Sequence, residues 1–507
     1  MGWKSFDPSD MNIDKITTLG ELKKANYVSR PVKIELRENL IQRLKNKEEA
    51  FPDIWGYEET VIPEVERAIL SRHNINLLGL RGQAKTRIAR LMVKLLDEYI
   101  PAVAGSEIND DPFQPISRFA RDLVEEKGDA TPIVWIHRND RYTEKLATPD
   151  VTVADLIGDL DPIKAANLKL SYSDERVIHF GLIPRAHRGI FVINELPDLQ
   201  ARIQVALFNI LQEGDIQIRG FKLRLPLDIQ FVFTANPEDY TNRGSIVTPL
   251  KDRIESQIIT HYPKYIHISK KITEQESNLL EEQRSRVGAS EIVKDLIEQI
   301  AFEARDSEFV DAKSGVSARL TISAFENLIS TAERRAILNN EKHVQVRLLD
   351  LYGVIPAITG KVELVYEGEV EGPAIVAQNL IGKAIRTIFP NYFPSPEKIK
   401  KLKAENPFGK LTEWFGNGNT IDVFNDMTDK AFESELSKVS GLSEAVETYH
   451  ANADVATKKL LAEFILFGLA EFSQISKNKL VTGIQFKDLL GSIFNLPKED
   501  DFEDDDE

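Results

Sequence analysis

One stretch limits this chain more than any other: Gly79-Leu80-Arg81-Gly82-Gln83-Ala84-Lys85-Thr86. It fits the phosphate-binding pattern G-x-x-x-x-G-K-[ST] except at the sixth position, where Ala84 stands for glycine. Ile75-Asn76-Leu77-Leu78 before it reads as a short buried strand. After it, Ile88, Leu91, Met92, Leu95, Leu96 and Tyr99 recur at helical spacing. A strand feeds a loop that opens a helix, which is the context the pattern requires. Backbone N–H groups of such a loop face an anion, Lys85 reaches the outer phosphates, and Thr86 offers its hydroxyl to Mg²⁺. The nucleotide-binding candidates are Gly79, Leu80, Arg81, Gly82, Gln83, Ala84, Lys85, Thr86 and Arg87. Alanine at position 84 is tolerable there if its φ is negative. The bland alternative is a chance match in a structural turn.

A second run points to the same chemistry. Ile190-Phe191-Val192-Ile193 is continuously apolar, as in a parallel strand buried on both faces, and it ends in Asn194-Glu195. Many nucleoside triphosphatases place Asp-Glu here, the aspartate holding the Mg²⁺ shell and the glutamate polarising the attacking water. Glu195 is thus the catalytic candidate, and Asn194 joins Thr86 as a candidate for the metal. An amide can hydrogen-bond a metal-bound water but brings no negative charge. Structurally, Glu195 could instead be a charge at a helix N-terminus.

Leu199, Ile203, Ala206, Leu207, Ile210 and Leu211 then keep helical period up to Gly214. Ile216, Ile218, Phe221, Leu223 and Leu225 alternate about Arg219-Gly220, a hairpin signal. Ile229-Gln230-Phe231-Val232-Phe233-Thr234-Ala235 is another buried strand, ending at Asn236. Strand ends carrying Lys85, Glu195 and Asn236 are expected to converge at the carboxyl edge of one sheet, where ligands bind.

The remaining chain is less informative. Residues 54–59, Ile-Trp-Gly-Tyr-Glu-Glu, are placed either to cover a base or simply to pack. Residues 101–115 read as loop, 116–126 as helix and 131–136 as strand. From about residue 289 the pattern is helical throughout. With 507 residues the chain has room for roughly two to four domains. The absence of cysteine excludes disulfides and thiolate metal sites, and fits a reducing compartment. The N-terminus lacks the apolar core of a signal peptide. The most apolar stretch, 460–472, is shorter than the ~18 residues of a membrane span. A cytoplasmic protein is expected. The net charge is −16, of which the last ten residues carry −7, so the body is acidic too. That argues against nucleic-acid binding as the main task.

In this order and spacing, the motifs resemble AAA+ ATPases of the branch holding MoxR-like proteins and magnesium chelatase ATPase subunits. The Ala-Lys-Thr loop looks like the MoxR version. Residues 156–163, Leu-Ile-Gly-Asp-Leu-Asp-Pro-Ile, and 180–195, from Phe180-Gly181-Leu182-Ile183-Pro184 to Asn194-Glu195, look like the chelatase subunit. The resemblance covers about residues 53–336. It implies Asn236 as sensor 1, Arg253 as an arginine finger after Pro249-Leu250-Lys251-Asp252, and Arg319 as sensor 2. Arg243 is a second finger candidate, and Arg185, His187 and Arg188 are either structural or pore-facing. The Gly-Ala-Phe-Thr-Gly-Ala loop of AAA+ transcription activators is absent from the sequence.

The expected fold is therefore α/β. An AAA+ P-loop NTPase core, a parallel sheet with helices on both faces, is followed by a helical lid domain and a helical C-terminal extension. The expected boundaries are an N-terminal extension at 1–50, the core at 51–270, the lid at 271–360, a linker and helix at 361–396, a helical region at 397–497, and an acidic disordered tail at 498–507. The resemblance implies ATP and Mg²⁺ as ligands and a ring, a hexamer, that remodels a partner bearing a von Willebrand factor A domain. The alternatives are the motor subunit of a metal chelatase acting on a tetrapyrrole, and a nucleotide-gated scaffold with little turnover.

Overall fold

The computed structural model describes residues 13–171, 174–218, 224–237, 245–402 and 406–489. The chain divides into two compact units, residues 1–262 and 263–507.

The first unit is built on five parallel strands. In chain order it contains helices α1 (Val32–Asn46) and α2 (Val61–Ser71), strand β1 (Ile75–Leu78), helix α3 (Lys85–Leu91), strands β2 (Tyr142–Leu146) and β3 (Gly189–Asn194), helix α4 (Ala201–Glu213), and strands β4 (Ile229–Ala235) and β5 (Ser256–Ile259). The spatial order is β5-β1-β4-β3-β2. β3 and β4 lie inside the sheet, and each of their residues is buried. Period-two alternation sends Ile190 and Val192 to one face, packed with residues of α1, α2 and α3, and Phe191 and Ile193 to the other, packed with α4. Helices thus cover both faces, as parallel strands require. This is the α/β layering expected of a P-loop NTPase core.

Burial of a charge fixes α1 onto this core. Arg141, just before β2, donates through Nη1 and Nη2 to the Glu35 carboxylate at 2.7 and 2.6 Å. Both side chains are almost fully enclosed. Removing one partner strands the other without solvent. Glu35→Ala is expected to destabilise the first unit by about 3–5 kcal/mol, read from urea unfolding. An unchanged midpoint would show that α1 is peripheral.

Several local expectations need correction. α3 ends at Leu91 and passes into a 3-10 turn, Met92–Leu95. Tyr99 does not continue the helix. It begins a strand, Tyr99–Val103, which pairs antiparallel with Ile133–His137 outside the parallel sheet. The segment 101–115 is therefore not all loop. Gly214, at φ 68, ends α4. Strands Asp215–Gln217 and Arg224–Pro226 pair antiparallel, while the tip at Arg219-Gly220 lies outside the described residues. So do Arg243 and the acidic tail.

The second unit is mainly helical. Its long helices are α5 (Glu291–Arg305), α6 (Arg319–Leu338), α7 (Pro373–Ile388) and α8 (Val455–Glu471). α8 is the apolar stretch weighed above as a membrane span. It is instead enclosed, with Leu461, Phe464, Ile465, Phe467 and Leu469 in one core cluster. Its Glu463 accepts hydrogen bonds from the N–H groups of Leu348 and Leu349 at 2.7 and 3.0 Å. Burial pushes that carboxyl up to about 7. No helix among the described residues is long and apolar enough to cross a membrane. The C-terminal part is not helical throughout: β6 (Ile421–Phe424), β7 (Ser476–Leu480) and β8 (Gly483–Lys487) form an antiparallel sheet in the order β6-β8-β7. The segment read as a linker contains a short helix, Tyr366–Glu371.

Candidate nucleotide-binding site

The strand order reverses beside β1, whose neighbours are β5 and β4 while its chain continues to the far edge at β2. Such a switch point opens a crevice at the carboxyl ends of the strands. The register places those ends level: Leu78 opposite Ala235, Phe233 opposite Ile193, Asn194 opposite Leu146.

The loop between β1 and α3 is shaped by its glycines. A Cβ on Gly79 would stand 1.9 Å from the Thr260 hydroxyl and 2.2 Å from Gln83 Oε1, so no side chain fits. Gly82 has φ 72. Ala84 has φ 56 and sits as the N-cap of α3. Its φ is positive, contrary to expectation, because the loop turns left-handed just before the helix. That is the conformation glycine normally supplies at this position, and alanine bears about 1–2 kcal/mol of strain there. The first intrahelical bond is Ile88 N to Ala84 O at 3.0 Å. The N–H groups of Lys85, Thr86 and Arg87 therefore precede the helical ladder, at its positive end.

Tyr57 supports the loop from below. Its buried hydroxyl lies 3.0 Å from Gln83 O and 2.7 Å from His261 O. The Tyr262 hydroxyl donates to Arg81 O at 2.8 Å. Of the segment 54–59, Tyr57 thus packs against the loop, and Ile54 is buried in the same core cluster.

Four strand and loop ends share one polar network. The Lys85 ammonium donates to Gly79 O, to Leu80 O at 3.2 Å and to Asn236 Oδ1 at 2.5 Å. Asn236 Nδ2 donates to Glu195 Oε2 at 2.8 Å. An ammonium only donates and a carboxylate only accepts, so these partners fix which way the Asn236 amide points. Glu195 itself has φ 54. Its N–H donates to Thr234 Oγ1 at 3.1 Å, which holds this left-handed turn. Strained backbone of this kind clusters at functional sites.

The second branch runs through residue 194. Thr86 Oγ1 and Thr234 Oγ1 donate to Asn194 Oδ1 at 3.3 and 3.2 Å. Asn194 Nδ2 donates to Glu144 Oε1 at 2.6 Å. Glu144 also accepts from the Tyr142 hydroxyl at 2.9 Å and from Arg90 Nε at 2.9 Å. The sequence reading overlooked Glu144, because β2 is a half-exposed edge strand without an apolar run. The signal available was its acid side chain in a strand two registers from Asn194.

The structure thus brings together Lys85, Thr86, Asn194, Glu195 and Asn236. Arg253 follows the short helix Thr248–Asp252. Its guanidinium donates to Gln212 Oε1 at 3.0 and 2.7 Å and to Pro249 O at 2.7 Å, and lies over the Phe208 ring. None of these partners belongs to the Lys85 network. Arg319, exposed at the start of α6, lies in the second unit. Of the three basic residues left open, Arg188 and His187 are buried and structural. Arg188 donates to Pro101 O at 2.6 Å, and burial pushes His187 down to about 4. Arg185 is exposed.

Mg²⁺ prefers oxygen ligands, keeps several waters, and is commonly held by one or two carboxylates together with substrate phosphates. The oxygens of Thr86 and Asn194, with Glu144 hydrogen-bonded to the Asn194 amide and Glu195 next to it in the chain, fit that chemistry. Among the described residues no group of three or more His, Cys, Asp or Glu side chains could hold a metal, so the phosphates would have to complete its shell.

Comparison with known proteins bears on part of this site. Residues 168–259 match the model of the family described as Sigma-54 interaction domain. The match includes β3, α4, β4 and β5 but not the loop at 79–86. Among solved structures, the chain is similar to a protein of Cytophaga hutchinsonii assigned as an ATPase, with 17% identity over 71% of this chain and 97% of that one, at a TM-score of 0.29. It is also similar to NtrX from Brucella abortus in complex with ADP, with 13% identity over 76% and 68% of the two chains and a TM-score of 0.35. The NtrX complex with ATP gives 13% identity over 79% and 72%, again at 0.35.

Proposed function

We propose that this chain is an ATPase, binding ATP in the loop at 79–87 and hydrolysing it with Glu195 as the catalytic carboxylate. The observation that carries this reading is Asn236, whose amide joins the Lys85 ammonium to the Glu195 carboxylate. A cation placed for phosphate and a base placed for water are thereby set at a fixed separation. Lys85 acts as a point charge on the outer phosphates. Glu195 orients the attacking water and takes its proton as oxygen attacks the γ-phosphorus and the bond to the β–γ bridging oxygen breaks, giving ADP and phosphate. Thr86 and Asn194 would hold Mg²⁺, which when bound neutralises charge on the phosphate oxygens. Asn236 serves as sensor 1, Arg253 as a finger acting on a neighbouring subunit, and Arg319 as sensor 2.

At a finer level we read the chain as a cytoplasmic member of the MoxR and magnesium chelatase branch. It forms a ring, a hexamer, and spends hydrolysis on remodelling a partner protein with a von Willebrand factor A domain. The domain boundaries given above belong to this reading. The Sigma-54 match does not extend it to transcription activation, since the Gly-Ala-Phe-Thr-Gly-Ala loop is missing. One observation favours a scaffold with little turnover instead: the amide at 194 where the family places a carboxylate.

Equilibrium binding of a fluorescent ATP analogue tests the site. The wild-type chain is expected to bind, and Lys85→Ala to bind far more weakly at unchanged melting temperature. Equal affinity in the two proteins would remove the loop from the account.

A further inference from the structure

The amide at 194 and the carboxylate at 144 form a matched pair, and together they explain the departure from the usual aspartate. Asn194 turns its oxygen to Thr86 and its nitrogen to Glu144, at 2.6 Å. An aspartate at 194 in this side-chain position would set a carboxylate oxygen 2.6 Å from another carboxylate. Two such groups cannot both stay ionised at that distance. The site therefore accommodates one negative charge across these two positions.

We propose that Glu144, on β2, supplies the negative charge of the Mg²⁺ shell that related enzymes take from the end of β3. Residue 194 is the neutral partner: its Nδ2–H is held by the Glu144 carboxylate, which polarises Oδ1 on the side where the metal would sit. Glu144 is a positioning residue: it acts through Asn194, holding Oδ1 toward Thr86. The geometry around it suits that task. The Tyr142 hydroxyl and Arg90 orient the carboxylate from the other side. Arg90 is largely solvent-exposed, so water screens its charge, while Glu144 is more enclosed. The inference rests on the ATPase reading and refines it. It also removes the argument for a scaffold, because the missing charge is present one strand away.

The exchange is testable by moving the charge back. Glu144→Gln keeps an oxygen to accept from Asn194 Nδ2, so that bond survives, while the charge and the bond from Arg90 Nε to the second oxygen are lost. The measurement is binding of ADP and ATP against free Mg²⁺, with Mn²⁺ paramagnetic resonance as a direct readout of the metal. Glu144→Gln is expected to leave metal-free nucleotide binding unchanged and to raise the Mg²⁺ midpoint about 10- to 100-fold. The double variant Glu144→Gln with Asn194→Asp is expected to recover most of that loss. An unchanged midpoint in Glu144→Gln overturns the inference, and so does a raised midpoint with no recovery in the double variant. Either result, with nucleotide binding intact and dependent on Lys85, leaves the ATPase reading standing. A wild-type chain that binds no nucleotide overturns both.

Discussion

Replacing Glu195 by glutamine is expected to lower ATP turnover by about 10²- to 10⁴-fold, the range for losing a positioned general base. ATP affinity should stay near wild type. The substitution keeps the length of the side chain and leaves an oxygen to accept from Asn236 Nδ2, which holds Glu195 at 2.8 Å. The left-handed turn at 195 rests on the backbone bond to Thr234 and does not depend on the carboxylate. Lys85 and the loop amides remain as they are. The variant should therefore hold ATP without consuming it, a loss confined to the chemical step. Steady-state phosphate release and filter binding of labelled ATP separate the two effects. Turnover near wild type would make Glu195 a structural charge at the end of β3.

Replacing Arg253 by alanine is expected to leave ATP affinity within a few-fold of wild type and to lower hydrolysis by about 10³ or more. Its known partners, Gln212, Pro249 and Phe208, lie away from the Lys85 network of its own subunit. A finger has that property, since its charge is meant for the neighbouring subunit's transferring phosphoryl group. The arrangement also permits a plain structural role, in which Arg253 ties the segment before β5 to α4. Mixing decides between them. Arg253→Ala and Lys85→Ala subunits are each expected to be inactive alone, yet at mixed interfaces an intact loop would meet an intact arginine. Phosphate release should then peak at an intermediate ratio. A structural arginine gives a lowered melting temperature and a flat line across all ratios, even with mixed rings demonstrated.

How much of this could be read from the chain depended on where each strand lies in the sheet. β3 and β4 are internal, buried on both faces, and therefore apolar throughout, and they stood out as runs. The ends that follow them, Asn194-Glu195 and Asn236, could be named from that alone. β2 is an edge strand, half exposed, with Tyr142-Thr143-Glu144-Lys145-Leu146 showing no run. The apolar strand nearest before it, Ile133–His137, serves an antiparallel ribbon with Tyr99–Val103 instead of the parallel sheet. Glu144 was hidden for this reason: its importance comes from parallel pairing with β3, a contact between residues about 50 positions apart in sequence. The backbone of Ala84 was hidden differently. A side-chain pattern carries no φ, and only the fold shows that the loop demands a left-handed residue there. The sheet β6-β8-β7 escaped because its strands are short and β6 lies far in sequence from the β7–β8 hairpin it joins.

The central claim, that the network of Lys85, Asn236 and Glu195 is an ATP-hydrolysing site, has one direct measurement. It is phosphate release by the purified full-length chain at saturating ATP and Mg²⁺, beside Lys85→Ala under identical conditions. The account predicts steady turnover by the wild-type protein and none above background by the variant. A wild-type chain that releases no phosphate while binding ATP tightly would contradict it, as would equal rates in the two proteins.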